Sequence, residues 1–200
     1  DKGVKPKPSL VEAIKEAPAP VNKDEIRSFL GLAEFYAKFI KNFAEKTYHI
    51  RQLLKNKVRF LWDGLCQQDF ECIKRDISKD SALSNFEVER KSVITVDASA
   101  KGLGAMLSQI KEDKSEVVVA YASRSLSPSE ERYSVIEREC LACVWALEHF
   151  RNFIWGREVL IKTDHKPLVK LLTTEGGVRA SPRIARFSMR LLDYIFAVEY

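Results

Sequence analysis

The 200-residue chain has little glycine (8) and little proline (7), and no low-complexity stretch. Disorder is therefore not its expected state. It has no run approaching the ~18 apolar residues a membrane span needs, and no apolar signal region at its N-terminus. Histidine is scarce (3), and the four cysteines (Cys66, Cys72, Cys140 and Cys143) are not paired with it at zinc-ligand spacing. Cys140 and Cys143 form a CxxC, but inside a helical pattern that points both thiols to one buried face; they read as free core cysteines in a reducing compartment. An initiator Met is also missing, since the chain begins Asp1-Lys-Gly-Val, which reads as a fragment or a processed product. What remains is ordinary for a globular protein of one large or two small domains: 46% apolar, 30% charged, net charge +5 and pI about 9.0. Most of the excess positive charge lies before Ser92. It suits an anionic partner without specifying one, and makes the front part the better candidate for holding a phosphate backbone.

The pattern changes near Asn85. Before it, after Pro18-Ala-Pro20, Asn22 can cap a helix with Glu25 in capping-box position and Val21 and Ile26 placed as a hydrophobic staple. Ile26, Phe29, Leu30, Phe35, Tyr36, Phe39, Ile40 and Phe43 follow at helical spacing. Further helices are expected at 47–55 and 67–78, after the anchor Phe60-Leu-Trp62. The aromatic stripe reads as core rather than as a base-stacking platform. After Asn85, apolar runs at 92–97, 104–110 and 117–123 predict three antiparallel strands, with Gly102 and Gly104 in the first turn. A long helix from Pro128 to Phe150, a strand at 158–163, a short helix at 165–173, a loop at 174–180, a helix at 182–193 and a fifth strand at 195–200 complete the pattern. The expected fold is α/β: a mixed five-stranded sheet with flanking helices (87–200), preceded by a small α-helical unit (1–86).

Three acids stand out in this pattern. Asp97 ends the apolar run Ser92-Val-Ile-Thr-Val-Asp97, Glu139 lies early in the long helix, and Asp164 ends Val159-Leu-Ile-Lys-Thr-Asp164. A long crossover helix makes the fourth strand parallel to the first, so Asp97 and Asp164 finish on one edge, where ligands of open α/β sheets gather. Converged carboxylates repel unless they protonate or bind a cation. Hard oxygen ligands suit Mg²⁺ or Mn²⁺, and a pair of such ions supports phosphodiester cleavage. Taken singly, each acid also reads as a strand-end turn former or a helix-surface charge.

Val96-Asp97-Ala98-Ser99 followed by Lys101-Gly-Leu-Gly-Ala-Met-Leu-Ser-Gln109 resembles the first RNase H motif of Ty3/gypsy-type retrotransposon Pol polyproteins. Tyr121-Ala-Ser-Arg-Ser-Leu126 resembles that family's third strand, Tyr133-Ser-Val-Ile-Glu-Arg-Glu139-Cys-Leu-Ala142 its second acidic motif, and Thr163-Asp164-His-Lys-Pro-Leu168 its third. Upstream, Ile26-Arg-Ser-Phe-Leu-Gly-Leu32 through Phe39-Ile40 resembles the reverse-transcriptase thumb, and Phe60-Leu-Trp62 with the following helix resembles the segment joining thumb to RNase H. The resemblance implies a ribonuclease H cutting the RNA strand of RNA/DNA hybrids, with Asp97, Glu139 and Asp164 as catalytic, metal-binding residues and Mg²⁺ or Mn²⁺ as cofactor, in a two-metal site that is complete in the intact parent. It implies the palm and fingers of the parent polyprotein as partners, and an intracellular setting: cytoplasm, virus-like particle or nucleus. Arg27, Lys38 and Lys41 are candidate phosphate contacts or solvated helix faces. Ser99, Arg124 and His165 sit beside motif positions where they can touch the hybrid, or, for His165, cap a turn.

Two departures qualify that expectation. The polymerase palm with its paired aspartates is absent, so this chain is not expected to synthesise DNA alone. The family's fourth carboxylate, on a final helix beyond the fifth strand, has no counterpart before Tyr200; Asp193 falls at the end of the preceding helix. A domesticated or catalytically impaired module that binds nucleic acid or protein is the alternative. An integrase is disfavoured by the acidic order Asp, Glu, Asp.

Overall fold

The computed structural model describes residues 3–79, 82–172 and 181–200. Its first part is helical. Helix α1 (Pro8–Glu16) opens on a proline, whose missing N–H costs nothing in a first turn. In α2 (Lys23–Glu34) the expected cap forms: Asn22 Oδ1 accepts from the Glu25 N–H at 2.9 Å, and the Glu25 carboxylate reaches back to the Val21 N–H at 2.9 Å. No staple forms, because Val21 is 70% exposed while Ile26 is buried.

The apolar stripe is not one helix. It breaks after Glu34, passes through a 3₁₀ turn at Ala37–Phe39, and enters the short α3 (Phe43–Lys46) through Asn42 in the left-handed conformation, φ 55° and ψ 39°. Phe29, Tyr36, Phe39 and Phe43 are nonetheless buried, so the stripe is core; only Phe35 turns outward. Helix α4 (Tyr48–Leu53) follows. Helix α5 (Gly64–Ile77) starts earlier than the expected Gln67, because the Asp63 carboxylate accepts the Cys66 N–H at 2.9 Å. Trp62 anchors that start, donating to Gln67 at 2.7 Å and meeting Phe70 edge-on.

The second part is the expected sheet. Strands β1 (Lys91–Ala98), β2 (Gly102–Ile110) and β3 (Glu116–Ser125) are antiparallel. Helix α6 (Val135–His149) and the short α7 (Arg151–Ile154) cross over to β4 (Glu158–Lys162), which runs parallel to β1. After α8 (Pro167–Leu171) and α9 (Pro182–Leu191), β5 (Ile195–Glu199) pairs parallel with β4. The strand order is β3-β2-β1-β4-β5. The loop expected at 174–180 lies outside the described residues.

Two local readings change. Gly102 and Gly104 are not in the turn but in β2, opposite Ser125 and Asp97; the turn is closed by the Ser99 hydroxyl, which accepts the Lys101 and Gly102 N–H groups. The long helix begins at Val135, not Pro128. A 3₁₀ turn occupies Glu130–Arg132, and a Ser134–Glu137 capping box sets the helix start.

Each sheet face has its own cover. On one, α6 lays Cys140, Cys143 and Leu147 against Ile94, Val96, Leu107, Val159 and Ile161. Both cysteines are free and fully buried, and burial pushes the Cys140 thiol up to about 12. On the other face the helical core of Ile26, Tyr36, Phe43, Ile50 and Phe70 reaches Val118 and Tyr121 of β3, and the Ala44 N–H donates to Ser123 Oγ at 2.8 Å. Ser134→Ala should cost about 1 kcal/mol through the lost cap, measured by urea unfolding; no loss would show that the capping box does not set the start of α6.

Candidate active site at the acidic edge of the sheet

Strand register brings two of the three acids together. The β1–β4 ladder runs in parallel from Ser92–Val159 to Thr95–Lys162. Two residues further along each chain are Asp97 and Asp164. They therefore finish side by side at the carboxyl edge, Asp97 half-buried and Asp164 exposed. Side chains alternate along a strand, so Asp97 faces away from Val96 and the α6 core. Glu139 arrives from the opposite layer, in the second turn of α6.

Glu139 is only 5% exposed, and its Oε2 is buried with no hydrogen-bond partner. Its proton affinity is raised to about 7. Burial is the largest cause, followed by the charges of Asp164 and then Asp97; Arg138 and a hydrogen bond with the Ala98 backbone act against them. All three carboxylates thus share one electrostatic neighbourhood. They are not drawn into a tight cluster: among the described residues, no three His, Cys, Asp or Glu side chains are close enough to hold a metal ion. Closing that gap gathers like charges, which a cation must offset. An orphaned, buried carboxylate oxygen within electrostatic reach of two more carboxylates is a donor set of the chemistry that suits a hard divalent ion such as Mg²⁺ or Mn²⁺.

The other candidates divide by position. Lys41 lines a groove of about 500 Å³ together with Asp97, Asp164 and Lys162. Lys38 lies over the Phe39 ring at 5.3 Å, and Arg27 pairs with Asp24 on its own helix. Ser99 spends its hydroxyl on the β1–β2 turn, while its carbonyl accepts from Arg138 at 3.1 Å. Arg124 is held by Glu130 in a two-pronged ion pair (2.7 and 2.9 Å), which keeps the Glu130 carboxyl down at about 2. The His165 N–H donates to Thr163 Oγ1 at 3.1 Å, and its carbonyl accepts the Leu168 N–H, shaping the turn into α8.

Sequence reasoning missed Asn42, whose Nδ2 donates to Asp97 Oδ2 at 2.9 Å. It also missed Lys162 as a groove residue. Two signals pointed to Asn42: asparagine tolerates the left-handed conformation that separates two short helices, and a glycine inside a strand, here Gly104, marks a close approach.

A mixed sheet of this strand order, with a crossover helix and acids at its carboxyl edge, defines an RNase H-like α/β domain. The chain belongs to the family described as the RNase H-like domain found in reverse transcriptase, whose profile matches residues 87–194. It is 36% identical over 200 residues to the retrovirus-related Pol polyprotein from transposon 412 of Drosophila melanogaster, covering 100% of this chain and 16% of that polyprotein. It is 38% identical over 199 residues to the corresponding polyprotein from transposon 297 of the same organism (99% and 18%). To the transposon Tf2-3 polyprotein of Schizosaccharomyces pombe it is 31% identical over 202 residues (100% and 15%). The chain thus spans less than a fifth of the length of these relatives. Among solved structures, a foamy viral protease-reverse transcriptase in complex with dsDNA matches with a TM-score of 0.75 at 19% identity, over 97% of this chain and 41% of that one. The same kind of protein in complex with an RNA/DNA hybrid matches at 0.73 and 18% identity (96% and 27%). At these identities the likeness is one of fold.

Because Glu139 holds its proton up to about 7 in the folded chain and only to about 4.5 ordinarily, it favours folding fully below about pH 4.5. That contribution is lost as pH rises through 7, a fall of about 3 kcal/mol in chelator-treated protein. Urea midpoints from pH 4.5 to 8 should fall less steeply in Glu139→Gln. Parallel curves would show that Glu139 does not titrate in this range.

Proposed function

We propose that this chain carries a ribonuclease H site that hydrolyses the RNA strand of RNA/DNA hybrids, as part of a retroelement reverse transcriptase. The observation that carries the reading is Glu139: buried, with one oxygen unpartnered, and facing the charges of Asp164 and Asp97. Membership of the reverse-transcriptase RNase H family supports it. So do the relatives, which are Pol polyproteins, and the complex with an RNA/DNA hybrid formed by a protein of similar fold.

In this mechanism Asp97, Glu139 and Asp164 would hold the divalent ions, Mg²⁺ or Mn²⁺. Bound there, such ions would supply activation of a water and stabilisation of the leaving oxygen of the phosphodiester. The residues of the chain do the placing. Strands β1 and β4 present Asp97 and Asp164 to the groove, and α6 fixes Glu139 from the dry side. Lys41 and Lys162 line the same groove as the two aspartates; the Lys162 ammonium pairs with Glu116 at 3.3 Å, so Lys41 is the cation that offsets phosphate charge as a strand enters. Residues 1–86 act as the thumb and connection that grip the duplex backbone, the palm and fingers of the parent polyprotein complete the enzyme, and the setting is intracellular.

The test is cleavage of an RNA/DNA hybrid labelled on each strand, with Mg²⁺ or Mn²⁺. The expected result is metal-dependent cutting of the RNA strand alone, reduced on the order of 10³-fold or more in Asp97→Asn. Intact RNA in the presence of either metal, with the hybrid still bound, would instead favour a nucleic-acid-binding module without catalysis.

A further inference from the structure

We infer that Asn42, contributed by the helical unit, is the positioning residue for Asp97, so that docking of that unit on the sheet aligns the acidic edge. The inference rests on the ribonuclease reading and adds to it a dependence on residues outside the matched domain.

The contact crosses 55 positions of sequence: Asn42 Nδ2 donates to Asp97 Oδ2 at 2.9 Å. Both partners are held. The Asn42 backbone sits in the left-handed conformation, and its carbonyl accepts the Glu45 and Lys46 N–H groups at 3.1 and 3.2 Å, fixing it as the entry to α3. Two residues on, the Ala44 N–H is tied to Ser123 of β3. The far side of the amide meets β2: a Cβ on Gly104 would lie 2.3 Å from Asn42 Oδ1. Gly104 is the β2 residue paired with Asp97. Only a residue without a side chain leaves room for the amide at the place where it can reach the carboxylate.

The consequence is a division of the Asp97 carboxylate. Oδ2 is engaged by a neutral donor, and Oδ1 is left for a ligand. An amide fixes the rotamer without cancelling the charge, which an ammonium in the same place would do. Carboxylates that bind metals are commonly held in this way, and loss of the holding group typically costs 10- to 100-fold in metal affinity.

The experiment is calorimetric titration of Mn²⁺ into the full chain and its variants. Asn42→Gly retains the left-handed backbone and removes the amide. It should weaken Mn²⁺ binding by about 10-fold or more. Gly104→Ala, which pushes the amide aside, should do the same, and the double variant should be no weaker than Asn42→Gly. Ile50→Val, in the helical core, lowers the thermal midpoint without touching Asn42 and should leave the affinity unchanged. Affinity retained in Asn42→Gly, or lost equally in Ile50→Val, overturns the inference. Absence of Mn²⁺ binding by the unaltered chain counts against the ribonuclease reading instead. In that case the NMR signal of the Asn42 side-chain amide in metal-free protein decides the contact: it should move on Asp97→Ala, and an unmoved signal overturns the proposed hold.

Discussion

Glu139 is a carboxylate that water barely reaches, with two further carboxylates at the same edge of the sheet. Each pH unit by which its proton affinity rises corresponds to about 1.4 kcal/mol of unfavourable interaction in the charged form, and burial supplies the largest part of the rise. Neighbouring features contain that conflict. The Ser134–Glu137 capping box fixes where α6 begins, and therefore which face Glu139 occupies. Arg138 beside it sends its guanidinium to the Ser99 carbonyl in the β1–β2 turn, bringing positive charge to the acidic edge. The dry core under α6 prevents Glu139 from relaxing into solvent. The fold thus keeps a carboxyl group where apolar packing alone would exclude it, which makes this edge a candidate functional site.

The two faces of the sheet divide the work. From the α6 side comes the buried acid. From the other side comes a helical unit that touches β1, β3 and the tip of the β1–β2 hairpin, through Asn42 on Asp97, Ala44 on Ser123, and Lys101 lying over the Tyr48 ring at 4.4 Å. The groove on that second side, bordered by Lys41 and Asn42 of the helical unit, holds both aspartates and two lysines. The helical region is therefore part of the site's architecture, although the family profile begins only at residue 87.

Much of this was legible in the sequence because strands announce themselves by apolar runs and their ends by polar residues. The runs ending at Asp97 and Asp164 gave the sheet, its parallel crossover and the acidic edge. Helical spacing was a poorer guide. Phe29 to Phe43 repeat as one helix would, yet they are buried across α2, a 3₁₀ turn and α3, because spacing reports which residues meet the core and not whether the backbone between them is continuous. Gly102 and Gly104 looked like turn residues, but their role is a close approach between segments far apart in sequence. Arg124 could not be read locally either: its partners Glu130 and Trp145 are visible only once β3, the following turn and α6 are folded together.

The most direct measurement is thermal unfolding with Mg²⁺ and with chelator, at pH 5 and at pH 8. An ion that binds only the folded, ionised cluster raises the midpoint, by an amount that grows with the logarithm of its concentration over its Kd. With Glu139 losing its proton near pH 7, the midpoint should rise clearly with Mg²⁺ at pH 8 and little at pH 5. Equal shifts at both pH values, or none at pH 8, would contradict a metal-binding cluster governed by Glu139.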